Sequence, residues 1–288
     1  MMNYRKHITV ISLLFLSLSA CVREVEVKLP PYQSKIVVNG LISDKDVTRV
    51  QVSSSISSLD TNPVNYIYDG TAQLYNEQNA LYDVLNYDAF SSGYIGTKPA
   101  IAGVFYTLKV NVKGEQVIGI TRILAGTKIN NLAYKDMVRI DSSGLPIGEL
   151  SFTFNDDGSV ENYYRLNILY YDNTRAEFKA LGIKDNYFLV REAEQTNSGY
   201  VFKDRSFNGA IQKLDFDVPF GFVDANAPYK FVVSLEVLNE DYSKYENSRS
   251  LYNQRTGTPF SESVDLYSNI KGGLGIFAGA SVSRDTLK

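Results

Sequence analysis

Between residues 36 and 238 the apolar side chains recur at every second position, in short runs separated by turn-forming residues. Period-two alternation is the pattern of a strand with one face buried and the other wet. The strongest run is Asn162 to Asp172, with Tyr164, Leu166, Ile168 and Tyr170 on one side and Tyr163, Arg165, Asn167 and Leu169 on the other. Tyr229, Phe231, Val233, Leu235 and Val237 align in a second, and Tyr106, Leu108, Val110 and Val112 in a third. The chain has 21 Tyr and 15 Phe, residue types that suit strands.

These runs predict an all-β fold of two tandem β-sandwiches. Ile36–Ile42, Val47–Ser53, Thr71–Tyr75, Leu81–Tyr87, Gly103–Val112 and Gln116–Leu124 give six strands in about ninety residues, the density of a small sandwich. The stretch between Tyr94 and Ala102, with its Gly and Pro, reads as a loop. Ala125 to Lys135 is polar and aperiodic and reads as the boundary. The first sandwich is therefore placed at 34–125 and the second at 135–288. One helix is predicted, Glu240 to Gln254. Asn239 is its N-cap, Glu240 and Asp241 stand at the positive end of its dipole, and Arg249 and Arg255 lie toward the negative end.

Upstream of the strands lies a different kind of segment. Arg5 and Lys6 precede an apolar run from Ile8 to Ser19, too short for an ordinary membrane span. Leu18-Ser19-Ala20-Cys21 then reads as a lipoprotein processing site. Small side chains fit the peptidase, the Cys21 thiol takes a diacylglycerol, and Cys21 becomes the new N-terminus. This predicts a signal peptide at 1–20 and a tether at 21–33, stiffened by Pro30-Pro31. Downstream of Cys21 no stretch is long and apolar enough to span a bilayer, so membrane attachment is expected through the lipid alone.

That processing has a chemical consequence. The only His is His7 and the only Cys is Cys21, so the mature chain carries no imidazole and no free thiol. Ser-His-Asp and Cys-His catalysis, His- or thiolate-bound zinc and disulfides are excluded by composition. The net charge is −3, becoming about −5 without Arg5 and Lys6, which gives nucleic acid no basic surface. No cofactor is expected.

Remaining constellations are carboxylates, glycines and tyrosines. Asn155-Asp156-Asp157-Gly158-Ser159-Val160-Glu161 has the oxygen density of a calcium loop but lacks EF-hand spacing, and Asp-Gly between strands is a hairpin signal. Glu192 with Glu194, and Asp215 with Asp217, would each share a strand face, the arrangement a carboxylate-dependent hydrolase needs; surface solubility is the ordinary role for such pairs. Gly272, Gly273 and Gly275 lack the order of a phosphate loop and read as a tight turn. Tyr242, Tyr245 and Tyr252 share a helix face and are the candidate partner surface.

Several motifs carry a resemblance. Leu41 after Val37-Val38-Asn39-Gly40, the Gly103–Leu108 strand and Asn162-Tyr163-Tyr164 occur together with Pro259-Phe260-Ser261-Glu262, Ser268-Asn269-Ile270 and Gly273-Leu274-Gly275-Ile276-Phe277. The chain from Cys21 onward resembles a large family of Bacteroidota outer-membrane lipoproteins known as domain-of-unknown-function family 4249. Many members have Pro after the Glu of the Phe-x-Glu motif, where this chain has Ser263. The resemblance implies a transthyretin- or carboxypeptidase-regulatory-like first sandwich and a fibronectin-type second sandwich with insertions. It implies a structural or interface role for Pro259, Phe260, Glu262, Asn269, Gly273, Gly275 and Phe277. It also implies a neighbourhood, since members are commonly encoded beside TonB-dependent transporters. The expected function is thus a lipid-anchored, non-enzymatic accessory of such a transporter in the outer membrane. A surface adhesion module is the alternative, and a hydrolase the third reading. Replacing Cys21 with Ser removes the acyl acceptor, so the variant is expected to lose metabolic labelling with palmitate and to leave the membrane fraction.

Overall fold

The computed structural model describes residues 32–57, 62–172, 174–182, 194–196, 199–219, 230–255 and 264–288. Ser34–Lys288 form one compact unit. The fold is all-β and sandwich-like, with one helix among the described residues.

The first half of the chain contributes β1 (Ile36–Ser43), β2 (Val47–Ser54), β3 (Asn65–Tyr66), β4 (Thr71–Asn76), β5 (Leu81–Asp88), β6 (Gly93–Pro99), β7 (Phe105–Val112) and β8 (Glu115–Arg122). These enclose a core built on Val38, Ile42, Leu74, Tyr106, Leu108 and Val110, all at most 1% exposed. Strand β5 turns the corner between the two layers. Its first residues pair with β4 (Ala72↔Leu85) and its last with β6 (Tyr87↔Tyr94).

Next come β9 (Asn130–Ile140), β10 (Pro146–Asn155), β11 (Tyr163–Asp172), β12 (Glu177–Ala180), β13 (Glu194–Thr196), β14 (Gly199–Lys203), β15 (Ile211–Pro219) and β16 (Phe231–Leu238). A three-stranded sheet, β15-β10-β9, faces β14-β11-β16. Between them Phe152, Phe154, Tyr164, Phe202, Phe216 and Phe231 fill a second core. Phe154 and Tyr164 meet across it with ring centroids 5.0 Å apart, an aromatic contact that adds to their area burial. After β16 come helix α1 (Glu240–Arg255), β17 (Ile270–Lys271) and β18 (Leu274–Leu287).

Strand β18 organises the whole. Its first half lies parallel to β1, from Val37↔Leu274 to Ser43↔Ala280. Its second half lies antiparallel to β16, from Leu238↔Ala280 to Phe231↔Leu287. Phe277 belongs to the first core, and Leu287 packs against the second.

Two stretches differ from the sequence reading. The expected loop after Tyr94 is strand β6, held between β2 and β5. Its periodicity is masked by Gly96, where a Cβ would lie 2.5 Å from a carboxylate oxygen of Asp83. That buried carboxylate accepts hydrogen bonds from the Thr97 N–H and hydroxyl, both at 2.8 Å, so the glycine makes room for the anion that pins the strand. The aperiodic stretch 125–135 contains the start of β9. This edge strand is mostly exposed on both faces and broken by bulges, with Asn131 and Met137 at φ +54° and +48°. Of its residues only Leu132 and Tyr134 pack against the second core, so the strand gives too little alternation to read. The expected Tyr187–Arg191 strand lies outside the described residues.

Gly275 sits at φ +108° in β18, opposite Val38, and a Cβ there would lie 2.1 Å from the Val38 carbonyl oxygen. Gly103 has φ +87° but open space around it. Gly103→Ala is expected to cost about 1 kcal/mol in a urea melt, from backbone strain alone. Gly275→Ala must also displace β1 and should cost clearly more, about 3 kcal/mol.

Candidate functional site

The described residues of the C-terminal motif, Asn269, Gly273, Gly275 and Phe277, lie at or beside the first half of β18, near where α1 packs. Side chains alternate along β18, so Phe277 enters the first core while Ile276, Ala278 and Ala280 face outward. The two alanines leave a shallow bed. Tyr242 of α1 packs into it together with Tyr163 and Leu238.

Asn269 fastens this bed to the strand. Its Oδ1 accepts the Phe277 N–H at 2.9 Å and its Nδ2 donates to the Phe277 carbonyl at 2.8 Å. One side chain thereby supplies both hydrogen bonds of a missing strand partner. Aspartate could match the first and oppose the second, and a longer Gln would not fit the same span. Gly273 and Gly119 make the approach possible. A Cβ at Gly273 would lie 2.5 Å from the Ile36 carbonyl oxygen, and one at Gly119 would lie 2.6 Å from the Cβ of Phe277.

Helix α1 is pinned through its first turn. Asn239 caps it, its Oδ1 accepting the Tyr242 N–H at 3.2 Å while its Nδ2 donates to the Thr121 hydroxyl of β8 at 2.8 Å. Asp241 accepts from the Tyr267 hydroxyl and, at 3.3 Å, from Asn269 Nδ2. Burial, joined by the Asp241 carboxylate, pushes the Tyr267 phenol up to about 12. Tyr242 accepts from Arg165 Nη1 at 2.7 Å, and Arg165 also pairs with Glu236. Burial works against the guanidinium charge, but Glu236 and Tyr242 outweigh it and hold Arg165 firmly protonated. The helix thus touches both sandwiches at its start. Further along, Glu246 is buried and paired with Arg249, and the last turn, Leu251 to Arg255, is exposed throughout.

The structure therefore splits the tyrosine face. Tyr242 is 8% exposed and belongs to the bed, so it is no partner surface. Tyr245 is half-buried against the same cluster. Only Tyr252, 45% exposed beside an equally exposed Leu251, faces outward. The polar helix rests on Tyr242, Ser243 and Glu246; the tyrosines are not its buried stripe, because anchoring at its first turn sets the rotation. Nothing in the sequence marked Glu236 or Thr121 as partners, and Asp241 reads there only as a first-turn acid of the helix. Arg165, an ionised residue amid apolar neighbours on a strand, was the available signal for a buried pair.

Other candidates resolve separately. Asp156 accepts from the Tyr164 hydroxyl and from the Gly209 N–H at 2.7 Å, and Asp157 accepts from Ser159. The 155–161 stretch is thus internally hydrogen-bonded, and it crosses from β10 in one sheet to β11 in the facing sheet rather than closing a hairpin. Nearby Asp204 is 2% exposed, and burial raises its carboxyl above the usual range despite the Asn162 N–H. Asp215 and Asp217 lie on β15, paired with Lys213 and Arg139. Among the described residues no three His, Cys, Asp or Glu side chains are grouped to hold a metal. Leu18 to Cys21, Pro259, Phe260, Glu262 and Glu192 lie outside the described residues, as does the side chain of Glu194.

The family model described as Domain of unknown function (DUF4249) matches residues 22–286. The chain belongs to this family. No curated protein matches it. A crystal structure of a putative membrane anchored protein from Corynebacterium diphtheriae aligns at 12% identity and a TM-score of 0.21, over 74% of this chain; the chain spans 56% of that protein's length. No helix among the described residues is long and apolar enough to cross a membrane, which says nothing of spanning by strands.

Within the family, the motif residues Asn269, Gly273, Gly275 and Phe277 thus have a structural reading: they set β18 and the helix bed. Asn269→Ala is expected to lower stability by about 2–3 kcal/mol, since it leaves the buried Phe277 amide unpaired. Asn269→Asp places a second carboxylate beside Asp241 and raises the new group's pKa. Its destabilisation should be present at neutral pH and fade as pH falls through that raised pKa, read by urea melts at pH 7 and pH 4.

Proposed function

We propose that this chain is a lipid-anchored, non-enzymatic accessory protein of the outer membrane that docks on a TonB-dependent transporter. The observation that carries this reading is the gradient along α1. Its first turn is tied to both sandwiches, and its last turn presents Leu251 and Tyr252, each 45% exposed. A helix fixed at one end, with an exposed Leu–Tyr pair near the other, is a rigid presenting element with little ordering entropy left to lose on binding.

The tether sets where the partner is. From an acylated Cys21 to Ser34 is a span of at most roughly 45 Å for an extended chain. The body therefore stays near one membrane, and a protein embedded in that membrane is the partner it meets most often. The family's Bacteroidota neighbourhood beside transporter genes points the same way. Composition supports the non-enzymatic part, because downstream of Cys21 there is neither His nor Cys.

The test is a mild-detergent pull-down of the tagged, acylated chain with mass spectrometry of its companions. A stoichiometric outer-membrane transporter barrel is expected. The double variant Leu251→Glu, Tyr252→Glu should release it without changing the melting temperature. A chain that emerges alone, or a barrel retained equally by the double variant, would sink the docking role assigned to α1.

A further inference from the structure

A second surface lies at the other end of β8, independent of the helix. Lys113 in the turn after β7, Glu115 at the start of β8 and the segment around β3 border an open cleft of about 360 Å³. That volume is within the ordinary range for a small-ligand site, about 300–1,000 Å³. Ser34 and Lys35, the first residues of the compact unit, also line it.

Its chemistry is specific in two respects. The first is aromatic. Tyr66 is 39% and Tyr68 70% exposed at the cleft. Tyr68 is backed by an aromatic relay, its ring 6.2 Å from Tyr87, which in turn meets buried Tyr94 edge-on at 5.5 Å. The Tyr94 hydroxyl accepts the Gly70 N–H at 2.9 Å, two residues from Tyr68, which fixes the local backbone. Tyr68 is thus an exposed ring on a rigid support.

The second is polar. Asn65, Asp69, Lys113 and Glu115 all line the cleft, and none makes a side-chain hydrogen bond or ion pair with any described residue. Two carboxylates, one amide and the ammonium groups of Lys35 and Lys113 therefore surround the rings with their hydrogen-bonding capacity uncommitted. The opposite charges are equal in number, so the cleft has no net pull on a phosphate or a cation. The open polar rim also does not suit a purely apolar guest. A neutral molecule with apolar C–H faces and many hydroxyls satisfies both sets at once: the C–H face stacks on tyrosine, and the hydroxyls donate to carboxylates and accept from amide and ammonium.

We propose that this cleft is a binding site for a neutral carbohydrate. Free oligosaccharide and the neutral sugar headgroup of a membrane glycolipid share this chemistry. The site does not depend on transporter docking.

The experiment uses the full acylated chain in a zwitterionic detergent that has no sugar headgroup. One arm screens neutral oligosaccharides on an array and follows hits by titration calorimetry. The other measures binding to micelles doped with a neutral glycolipid, against micelles doped with phosphatidylethanolamine. Binding in the first arm supports the site with free glycan as the source; binding in the second alone supports it with glycolipid as the source. Tyr68→Ala and Tyr66→Ala should each weaken binding by roughly tenfold, with the melting temperature unchanged. Phe178→Ala, an exposed aromatic on β12, should leave it intact. No binding in either arm up to about 10 mM sugar, or binding that survives both tyrosine substitutions, overturns the proposal.

Discussion

The structure depends on the parallel pairing of its first and last described strands. Val37 lies against Leu274, and the ladder runs to Ser43↔Ala280 before β18 leaves β1 behind and continues along β16. A strand of 14 residues is about 46 Å long, enough to wall one core and then the other. Either half of the protein would expose an open sheet edge without it, and such edges are templates for aggregation. The constraint is also kinetic. The pairing closes a loop of well over two hundred residues, the kind of contact that forms late. Neither core is complete until the C-terminal residues are in place.

A strand serving two cores has to meet different neighbours along its length, and its sequence shows the compromise. Phe277 fills the first core; Gly279 passes within contact of the Arg122 backbone; Ala278 and Ala280 accept the helix. Small residues let the backbone pack closely but bury little apolar area themselves. Polar contacts make up the difference. Asn269 completes the Phe277 ladder, Asp44 accepts the Val282 N–H and the Ser281 hydroxyl at 2.8 Å, and Ser283 accepts the Ile129 N–H at 3.0 Å. The Asp44 and Ser283 bonds link β18 to distant parts of the chain, so these polar groups specify its register as well as satisfying themselves.

Strands with one wet face were legible in the sequence, because alternation is the direct imprint of that environment. Asn162–Asp172 and Gly103–Val112 lie within a residue or two of β11 and β7. Alternation failed where the environment is not one-sided. β9 is largely exposed beyond its contact at Leu132 and Tyr134, and β6 has glycine where a buried carboxylate needs space. On β11 both faces are covered at the start, since Tyr163 and Arg165 face α1 rather than water. The helix was placed correctly by its cap and terminal charges, yet its rotation was not. Tyr242 and Tyr252 lie about 80° apart on a helical wheel, near enough to read as one face, and the tertiary contacts of the first turn bury one and leave the other exposed. The parallel β1–β18 pairing left no local mark at all. Gly275 was visible as a glycine, but its reason, the Val38 carbonyl, lies 237 residues away.

The helix and the cleft share one support. Glu115, at the start of β8, lines the cleft, and Thr121, near its end, receives the N-cap Asn239 of α1. Six residues of strand separate them by about 20 Å. The strand is paired throughout with β7, and its inward side chain Val117 is 1% exposed in the first core. Such a strand does not bend independently of the sandwich. The spacing between the two surfaces is therefore fixed by the core. Recognition elements in a β-sandwich belong on its connections and its added helix, because the strands are committed to packing. Here one rigid strand places both kinds at a set distance, so changes to β8 packing should affect them together, and changes to either surface should leave the other in place.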